Sequence, residues 1–352
     1  MKVCQILYSG LGGHGSVALS FTESDIEKQF EHNYIFFGIE PALCNYKDFC
    51  MSNGYKFKAV QKKKGLDLNS LIKVYKYLRQ LKPNVILLHS TSLIYLLVLY
   101  KIFNKATVIQ IEHQQPLLKR KSEWLWTKLG MRFADKMVFL TKDYIAKTKE
   151  RLGSDFKSDK VAYIPNGINL STFYPTLSNL NSSPILVSMI SRFTEIKDHQ
   201  TLLKAIVQLN ADGHKIDLAL AGTGETLELL RKNFNHPFIK FVGLLNEDEI
   251  VRLLQKSDIY VHASFGETMS TSIMQALAMG KYVIGSNVAG IHNMIDDKVT
   301  GFLYESKNIA ELANTILHII NHKPEDVAKN AVQYAKNNFS SINMFNAYVK
   351  LF

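Results

Sequence analysis

Short runs of β-branched and aliphatic residues alternate with helical patterns along the whole chain. The strand-like runs are VCQILY, NYIFFGI, NVILLH, ATVIQIEH, KMVFLT and VAYIP in the first half, and PILVSMIS, KIDLALAG, FIKFVG, SDIYVHAS, KYVIGS and TGFLYE in the second. Amphipathic stretches lie between them, at 67–81, 122–134, 197–210 and 246–255. Strands separated by helices of this length form βαβ units, and runs apolar on both faces fit parallel strands covered on two sides. The alternation therefore predicts an α/β fold.

The length of the chain and one polar stretch predict two domains. A chain of 352 residues exceeds what one hydrophobic core ordinarily serves. The longest stretch rich in Pro, Ser and Asn is PTLSNLNSSP at 175–184, which we interpret as a linker. We predict two Rossmann-like, doubly wound domains that face each other across a cleft. Ligands of such sheets bind at the carboxyl ends of the strands, so the loops after the strands are the candidates for chemistry.

Positive charge is concentrated in the first half. Residues 1–172 hold 26 Lys and Arg against 14 Asp and Glu, a net of +12, whereas the remainder holds 16 against 17, a net of −1. This asymmetry suggests that the first half meets an anionic partner such as a membrane leaflet, a phosphorylated lipid or a nucleic acid. The alternative is that the charge serves only to keep the protein in solution.

Composition and cysteine usage bear on the compartment. A hydrophobic content of 47% with 21% charged residues is typical of folded globular proteins. Cys4, Cys44 and Cys50 form no CxxC pair and no cluster with histidines, which argues against a disulfide framework or a zinc site. We expect no secretory signal, and the most apolar later run, LIYLLVLY at 93–100, is too short to span a bilayer. The expected location is the cytoplasm.

Two loops of the first half carry candidate residues. In YSGLGGHGS at 8–16, Gly12 and Gly13 would let backbone amides converge on an anion at the start of the next helix, although a tight turn also explains them. The strand in VIQIEHQQP runs into His113, and NVILLH ends at His89. A histidine at the carboxyl end of a strand can orient a substrate group, but a structural role is the alternative.

Two loops of the second half carry further candidates. SRFTEIKDH places Arg192 at a strand end and Lys197 before the next helix, so the two cations either clamp a diphosphate or are simply exposed. SFGETMSTSIMQALAMG at 264–280 places Glu267 after a strand and then begins a helix near Ser270. The hydroxyl side chains there predict a capped helix start, and the first-turn amides also offer a seat for an anion.

Taken in order, these stretches resemble the family-four glycosyltransferases, which are retaining enzymes of the GT-B fold that use nucleotide sugars. The family pattern has a Glu, seven residues and a second Glu before Ala-(Met/Leu)-Ala-x-Gly. ETMSTSIMQALAMG matches it with Glu267 in the first place and Gln275 in the second. GLGGHGS, IEH, FLT, IPNGIN, SRFTEIKDH, AGTGE, FVGLLNEDEI, SDIYVHAS and VAGIHNMIDDKVTGFLYE match further parts in order. The similarity covers nearly the whole chain and is strongest from 161 to 304.

The resemblance implies roles for individual residues. Arg192 and Lys197 would bind the donor diphosphate, and Glu267 would contact the hydroxyls of the donor sugar. Gln275 departs from the family's second glutamate, which accepts hydrogen bonds from the ribose, although an amide oxygen can accept such bonds too. An active-site histidine near the sugar would be His113. Further donor contacts would come from the backbone of Gly12, Gly13, Gly222, Met269, Ser270 and Thr271.

The resemblance also implies the chemistry and the partners. The enzyme would transfer a hexose or N-acetylhexosamine from a UDP-linked donor to a glycan or polyprenyl-linked acceptor, in the synthesis of a bacterial surface polysaccharide such as O-antigen or capsule. The sequence has no Asp-x-Asp metal motif, so neither a divalent ion nor another cofactor is expected. The basic first domain would touch the anionic inner face of the plasma membrane, and no nucleic acid partner is expected.

The resemblance refines the domain boundaries as well. The N-terminal, acceptor-side domain would span 1–175 and the donor-binding domain 176–337. In GT-B proteins a terminal helix often crosses back onto the first domain, so the helix predicted at 338–352 would pack there. The alternative is a terminal helix that stays on its own domain.

Other functions stay open. Another GT-B enzyme is one alternative, such as a phosphorylase or a nucleotide-sugar epimerase, which would interconvert the free donor without acceptor-dependent transfer. A non-enzymatic protein whose basic half holds nucleic acid is a second alternative. It would show salt-dependent affinity for DNA or RNA and none for nucleotide sugars.

Overall fold

The computed structural model describes residues 1–10, 12–176, 180 and 183–352. Both the predicted linker at 175–184 and the glycine-rich loop at 8–16 therefore lie partly outside the described residues.

The chain folds into two compact units. Unit 1 consists of Met1–Gly167 together with Ser341–Phe352, and unit 2 of Ile168–Ser340. The division comes ahead of the predicted linker because Ile168 and Phe173 are already buried in a core cluster of unit 2.

Unit 1 is built on a parallel sheet. Its elements are β1 (Lys2–Leu7), α1 (Gly13–Glu23), β2 (Glu31–Gly38), α2 (Cys44–Ser52), β3 (Lys56–Gln61), α3 (Leu68–Leu81), β4 (Val85–Leu88), α4 (Ile94–Phe103), β5 (Thr107–Glu112), α5 (Lys121–Phe133), β6 (Lys136–Phe139), α6 (Lys142–Leu152) and β7 (Val161–Tyr163). Within the described part of this unit the sheet has seven strands in the order β3-β2-β1-β4-β5-β6-β7.

Both faces of this sheet are buried. Tyr34 and Phe36 of β2 lie in one core cluster with Tyr46 of α2, whereas Ile35 and Phe37 lie in another, which α3 and α4 complete. Successive side chains of a strand point to opposite faces, so a strand covered on both sides needs apolar residues at every position. This requirement explains the continuous apolar runs in the sequence.

Unit 2 repeats the architecture. Its elements are β8 (Ile185–Ile190), α7 (His199–Ala211), β9 (Ile216–Ala221), α8 (Leu227–Asn233), β10 (Ile239–Gly243), α9 (Glu247–Lys256), β11 (Ile259–His262), α10 (Thr271–Ala278), β12 (Tyr282–Ser286), β13 (Phe302–Tyr304), α11 (Ile309–His322) and α12 (Glu325–Asn338). Among the described residues of unit 2, six strands pair in parallel in the order β10-β9-β8-β11-β12-β13.

Each sheet has a central strand at which the direction of winding reverses. β1 lies between β2 and β4, so that Val3 pairs with His32 on one side and with Val85 on the other. β8 lies between β9 and β11 in the same way. Ligands of doubly wound sheets bind where the order reverses, at the carboxyl ends of these strands. The loops after β1, β4, β8 and β11 are therefore the places for a functional site.

The structure confirms the predicted parallel α/β architecture, and each predicted strand-like run contains a strand. The sequence prediction missed β3, KFKAVQ. This strand lies at the edge of its sheet, and its lysines at 56 and 58 leave Val60 as its buried residue. An edge strand with one side chain in the core carries too little apolar periodicity to be recognised.

The C-terminal helix α13 (Ser341–Val349) packs against α1 within unit 1. The ring of Phe21 lies 5.0 Å from that of Phe345 and 5.7 Å from that of Tyr348, measured between centroids. The Ser24 hydroxyl donates to the Ser341 hydroxyl at 2.9 Å. These contacts tie the last helix to the first.

Candidate functional site

The start of α10 lies at the carboxyl edge of the unit 2 sheet. Ser270 occupies the N-cap position, but its hydroxyl accepts no hydrogen bond from the helix amides that the structure describes. It lies 3.0 Å from the Ser272 hydroxyl, which donates to the carbonyl of Ile190 at the end of β8. The predicted side-chain cap is therefore wrong, because these hydroxyls join α10 to β8 instead. The backbone amides of the first turn, next to Met269 and Thr271, carry a partial positive charge that favours an anion.

A largely buried ion pair links the loops after β8 and β11. The ammonium of Lys197 contacts the carboxylate of Glu267, and their side chains are only 9% and 17% exposed. The structure thus brings together one residue predicted to bind the diphosphate and one predicted to bind the sugar.

His262, the last residue of β11, orients this carboxylate. Burial, and next the charges of Lys197 and His199, hold the pKa of His262 well below its usual range, so the ring is neutral. Its Nε2 lies 2.8 Å from Oε1 of Glu267 and carries the proton, because a carboxylate only accepts. Its Nδ1 then accepts from the Tyr260 hydroxyl at 2.9 Å. A chain of hydrogen bonds from Tyr260 through His262 therefore sets the direction of the Glu267 carboxylate.

Lys197 titrates close to neutral pH. Burial, and next the positive charge of Arg192, lower its pKa to about 7. Arg192 follows β8 and is exposed. The two cations lie close enough to repel each other, and an anion held by both would relieve that repulsion. This arrangement suits a diphosphate.

Two glycines permit close approach of the site loops. Gly222 follows β9 with φ of +132°, and a side chain there would collide with the carbonyl oxygen of Ser191, next to Arg192. Gly290 has φ of +91° and lies against the carbonyl oxygen of Glu267 in the same way. Positive φ and the missing Cβ are both required at these positions. The structure thus places Gly222 as the support of the loop that carries Arg192.

Gln275 lies one turn into α10 and is 7% exposed. Its side-chain amide forms no hydrogen bond with any other residue that the structure describes. The amide is not fully enclosed, so a ligand at this edge of the sheet can replace water as its hydrogen-bond partner.

Unit 1 presents a group of histidines at its own switch point. His89 follows β4 and His113 follows β5, with their rings stacked 5.0 Å apart and Nδ1 of His89 lying 2.8 Å from Nε2 of His113. On the other side, Nε2 of His89 lies 3.2 Å from Oε1 of Gln5 on β1. The ring of His14 on α1 lies 5.7 Å from that of His113. The adjacency of β1, β4 and β5 brings these residues together.

Gln5 fixes the proton positions along this chain. Its Nε2 donates to two oxygens of α1, so its Oε1 is the acceptor and Nε2 of His89 carries a proton. Burial, and next the charges of His113 and His14, hold the pKa of His89 well below its usual range, so its Nδ1 is an acceptor. His113 therefore donates a hydrogen bond to His89 from Nε2, and its Nδ1 carries no proton and can act as an acceptor. Burial, followed by His14, lowers the pKa of His113 to about 3, so this ring is neutral.

The glycine-rich loop meets this histidine group. Gly12 is the N-cap residue of α1 and Gly13 its first residue, and the amide of Gly15 donates to the carbonyl of Gly12 at 3.0 Å. His14 joins this helix start to His113. The predicted residues thus fall into two sets: Gly12, Gly13 and His113 in unit 1, and Arg192, Lys197, Gly222, Glu267, Met269, Ser270, Thr271 and Gln275 in unit 2.

A second buried ion pair anchors the loop that follows His113. Lys119 contacts Glu112 with side chains 1% and 3% exposed, and its ammonium also donates to the Thr127 hydroxyl at 2.7 Å. Gln110 donates to the other carboxylate oxygen of Glu112 at 2.7 Å. Because a buried pair is costly to break, it holds both ends of the loop in place.

Four polar residues of the site were missed by the sequence analysis: Gln5, His14, Tyr260 and His262. His262 ends a strand as His89 and His113 do, so the same signal would have found it. Gln5 and Tyr260 are polar residues inside buried strands, a position that requires hydrogen-bond partners. Their partners lie on neighbouring strands, which the sequence alone does not identify.

In the part of the chain that the structure describes, no three or more His, Cys, Asp or Glu side chains form a group that could hold a metal ion. The expectation that the reaction uses no divalent ion stays a prediction.

Among the described residues, no helix has both the length and the apolar character needed to span a bilayer.

Comparison with known proteins gives two matching family models. The model described as Glycosyltransferase Family 4 matches residues 12–172, and the model described as Glycosyl transferases group 1 matches residues 174–338. Between them they cover most of both units.

Individual relatives agree with this assignment. The uncharacterized glycosyltransferase MJ1069 of Methanocaldococcus jannaschii is 27% identical over 271 residues, which are 71% of this chain and 69% of the relative. An Escherichia coli UDP-Gal:alpha-D-GlcNAc-diphosphoundecaprenol alpha-1,3-galactosyltransferase is 24% identical over 299 residues, 78% of this chain and 76% of that enzyme.

The fold agrees as well. The crystal structure of Anabaena Alr3699/HepE in complex with UDP and glucose superposes with a TM-score of 0.83, over 99% of this chain and 98% of that one, at 16% identity. Two parallel-sheet units of this kind form the GT-B fold. On the two family models and this fold, the chain belongs to family four of the glycosyltransferases.

Proposed function

We propose that this protein is a retaining glycosyltransferase that moves a hexose or N-acetylhexosamine from a UDP-linked donor to a glycan or lipid-linked acceptor. The observation that carries the proposal is the ion pair of Lys197 and Glu267, oriented by His262 at the start of α10. It combines cations for a diphosphate with an acceptor for sugar hydroxyls. The Escherichia coli relative, whose name includes a UDP sugar and a diphosphoundecaprenol acceptor, supports the choice of donor and acceptor.

In this mechanism unit 2 stabilises the leaving group. The bond between the anomeric carbon and the β-phosphate oxygen breaks, and the negative charge that develops on the diphosphate is met by Lys197, Arg192 and the first-turn amides of α10. Glu267 is the partner of Lys197 in the structure, and a bound diphosphate would compete for that ammonium. Glu267 would then accept hydrogen bonds from sugar hydroxyls.

Retention would follow from attack on the same face that the diphosphate leaves. The acceptor oxygen forms its bond to the anomeric carbon while its proton passes to a phosphate oxygen, so no carboxylate nucleophile and no metal ion is required. His113 of unit 1, neutral and with Nδ1 as an acceptor, would contact a hydroxyl of the donor sugar. A glycosyl adduct trapped on Glu267 would contradict this mechanism.

The proposed acceptor suggests where in the cell the reaction takes place. We assign the reaction to the synthesis of a bacterial surface polysaccharide, at the cytoplasmic face of the plasma membrane. The excess of positive charge in residues 1–172 supports contact between unit 1 and anionic lipid.

The test of this function is a screen of nucleotide sugars. Uridine-diphosphate sugars should raise the melting temperature of the protein, and at least one of them should be slowly hydrolysed. If uridine, guanosine and adenosine donors all fail to stabilise it, the proposal is wrong. Interconversion of the donor without an acceptor would indicate an epimerase, and salt-dependent binding of DNA without donor binding would indicate a nucleic-acid-binding protein.

Gln275 provides a test of ribose recognition. Gln275→Glu should keep or improve the affinity for UDP, because either side chain offers an oxygen to the ribose hydroxyls. Gln275→Ala should weaken UDP binding about tenfold, the cost of one or two buried hydrogen bonds. Calorimetric titration with UDP measures both. Equal affinities of Gln275→Ala and the wild type would show that this residue does not contact the nucleotide.

The lowered pKa of Lys197 predicts that UDP binding takes up a proton. The bound diphosphate favours the ammonium form, whereas above its pKa of about 7 this lysine is mostly neutral. The affinity for UDP should therefore fall as the pH rises above about 7, by at most tenfold per pH unit. Calorimetry at pH 8.5 in two buffers with different protonation enthalpies should report an uptake close to one proton.

Lys197→Arg is the control for this titration, because a guanidinium stays charged throughout this range. It should bind UDP without the extra proton uptake. If the uptake persists in Lys197→Arg, another group is responsible.

A further inference from the structure

A cavity on unit 1 combines cations with an aromatic ring. Its volume is about 320 Å³, and it lies between α5, the end of α6 and the turn that follows. The residues that line it and matter here are Lys121, Trp124, Leu125, Lys128, Arg151 and Asp155. We call this cavity the α5 pocket. None of these residues belongs to the histidine group or to the donor residues of unit 2.

The electrostatics of the α5 pocket favour an anion. It is lined by three basic residues, Lys121, Lys128 and Arg151, against one acidic residue, Asp155, which pairs with Lys128 at 2.7 Å. The guanidinium of Arg151 lies 5.8 Å from the centre of the Trp124 ring. An arginine held against an aromatic face keeps its donors in a defined direction, and the fork of a guanidinium matches the oxygens of a phosphate.

Three exposed leucines are associated with the pocket. Two of them precede its residues in the sequence, and the third lines it. Leu117 and Leu118 are 70% and 51% exposed, in the short turn that precedes α5, and Leu125 on α5 is 54% exposed. The segment that carries the first two reads PLLKRK. The side chain of Lys119 is buried in its ion pair with Glu112, so the exposed basic residues that follow the leucines are Arg120 and Lys121. Apolar side chains beside basic ones are the composition that inserts into the headgroup region of an anionic bilayer.

We propose that the α5 pocket binds the phosphate of an anionic phospholipid headgroup while Leu117, Leu118 and Leu125 enter the acyl boundary. A volume of about 320 Å³ is at the small end for ligand pockets, which suits a headgroup. A membrane accounts for the exposed leucines, whereas a nucleic acid or a soluble phosphate compound would leave them in water. The inference deepens the proposed function, because an enzyme with a lipid-linked acceptor works at a membrane surface.

The test uses sedimentation with vesicles. Wild-type protein should bind vesicles of phosphatidylglycerol and phosphatidylcholine in equal parts, and bind phosphatidylcholine vesicles weakly. Lys121→Glu combined with Arg151→Glu should lower the affinity for the anionic vesicles at least twentyfold, since each basic residue near such a surface contributes about fivefold. Leu117→Ser combined with Leu118→Ser should lower it about tenfold with the pocket charges intact.

A matched control separates the pocket from general charge. Lys73→Glu combined with Lys76→Glu makes the same change in net charge on exposed positions of α3, in the same unit. It should weaken vesicle binding less than about threefold, mainly through the altered net charge of the protein. Equal losses in the control and the pocket variant would overturn the proposal. So would equal binding of the wild type to neutral and anionic vesicles, or binding of inorganic phosphate without binding of vesicles.

The same variants separate this inference from the proposed function. All of them should keep the rise in melting temperature that UDP produces, because none belongs to the donor residues. If UDP fails to stabilise even the wild type while the vesicle results hold, the proposed function fails and the lipid pocket stands. If UDP stabilises every variant and vesicle binding does not depend on the pocket, the lipid pocket fails alone.

Discussion

Replacing Lys197 with methionine is expected to slow sugar transfer by about 10²–10³-fold, the usual cost of removing one preorganised charge at a developing anion. Methionine fills a similar volume with an unbranched chain, so the packing around the loop after β8 changes little. The measurement is the rate of transfer from the UDP sugar that the donor screen identifies. Lys204→Met is the matched control, because Lys204 is exposed on α7 of the same unit. It should keep the wild-type rate.

The ion pair permits a second test of whether Lys197 and Glu267 share one diphosphate site. In Lys197→Met the carboxylate of Glu267 loses its cationic partner and would repel a diphosphate bound nearby. Adding Glu267→Gln removes that repulsion, so the double variant should bind UDP more tightly than Lys197→Met alone. Sugar transfer should stay low in both, because both lack the Lys197 ammonium that meets the charge on the leaving diphosphate. If the double variant binds UDP more weakly than Lys197→Met, the two residues do not share one diphosphate site.

The sequence predicts the architecture well because buried parallel strands give long apolar runs that are easy to recognise. β4 is apolar at every position and β2 from Tyr34 to Phe37, and the helical patterns between strands leave few alternatives. The sequence prediction missed β3 because an edge strand with alternating lysines resembles a loop. Residues 177–179, 181 and 182 lie outside the described structure, so the predicted linker there is untested.

The polar interactions of the site are harder to predict than the strands. The hydroxyl residues before α10 predict a side-chain cap, yet Ser272 donates to the carbonyl of Ile190 on a different strand. The alternative partner becomes available only when β8 and β11 are neighbours. The same is true of Gln5, whose partners lie on α1 and after β4. A sequence shows where a strand ends, but the pairing of side chains across strands depends on the order of the sheet.

The α5 pocket illustrates the same limit. The excess of basic residues in the first half is visible in the sequence, but it gives no location. Helices α5 and α6 both contact β6, and the fold brings Lys121 of α5 and Arg151 of α6 to one cavity although they are distant in the sequence. Only the fold shows which of these basic residues lie together on one surface.

His89→Phe is expected to slow sugar transfer by about 10–100-fold, the range seen when the group that orients a functional histidine is removed. Phenylalanine keeps a ring to stack against His113, but it removes the acceptor for Nε2–H of His113. The proton of His113 then shifts toward Nδ1, the nitrogen that the proposed mechanism requires as an acceptor for a sugar hydroxyl. Holding a functional imidazole in the wrong tautomer is costly even when its position is unchanged.

The nitrogen-15 shifts of the imidazoles report this change directly. His113 should have its proton on Nε2 in the wild type and a substantial share on Nδ1 in His89→Phe. A purely structural role would instead lower the melting temperature and leave the tautomer unchanged. His318→Phe is the matched control, since His318 stacks on His322 in α11 at a centroid distance of 4.4 Å and belongs to neither set of candidate residues. If His89→Phe transfers sugar at the wild-type rate, or if its His113 keeps the proton on Nε2, the chain from Gln5 through His89 does not set the chemistry of His113.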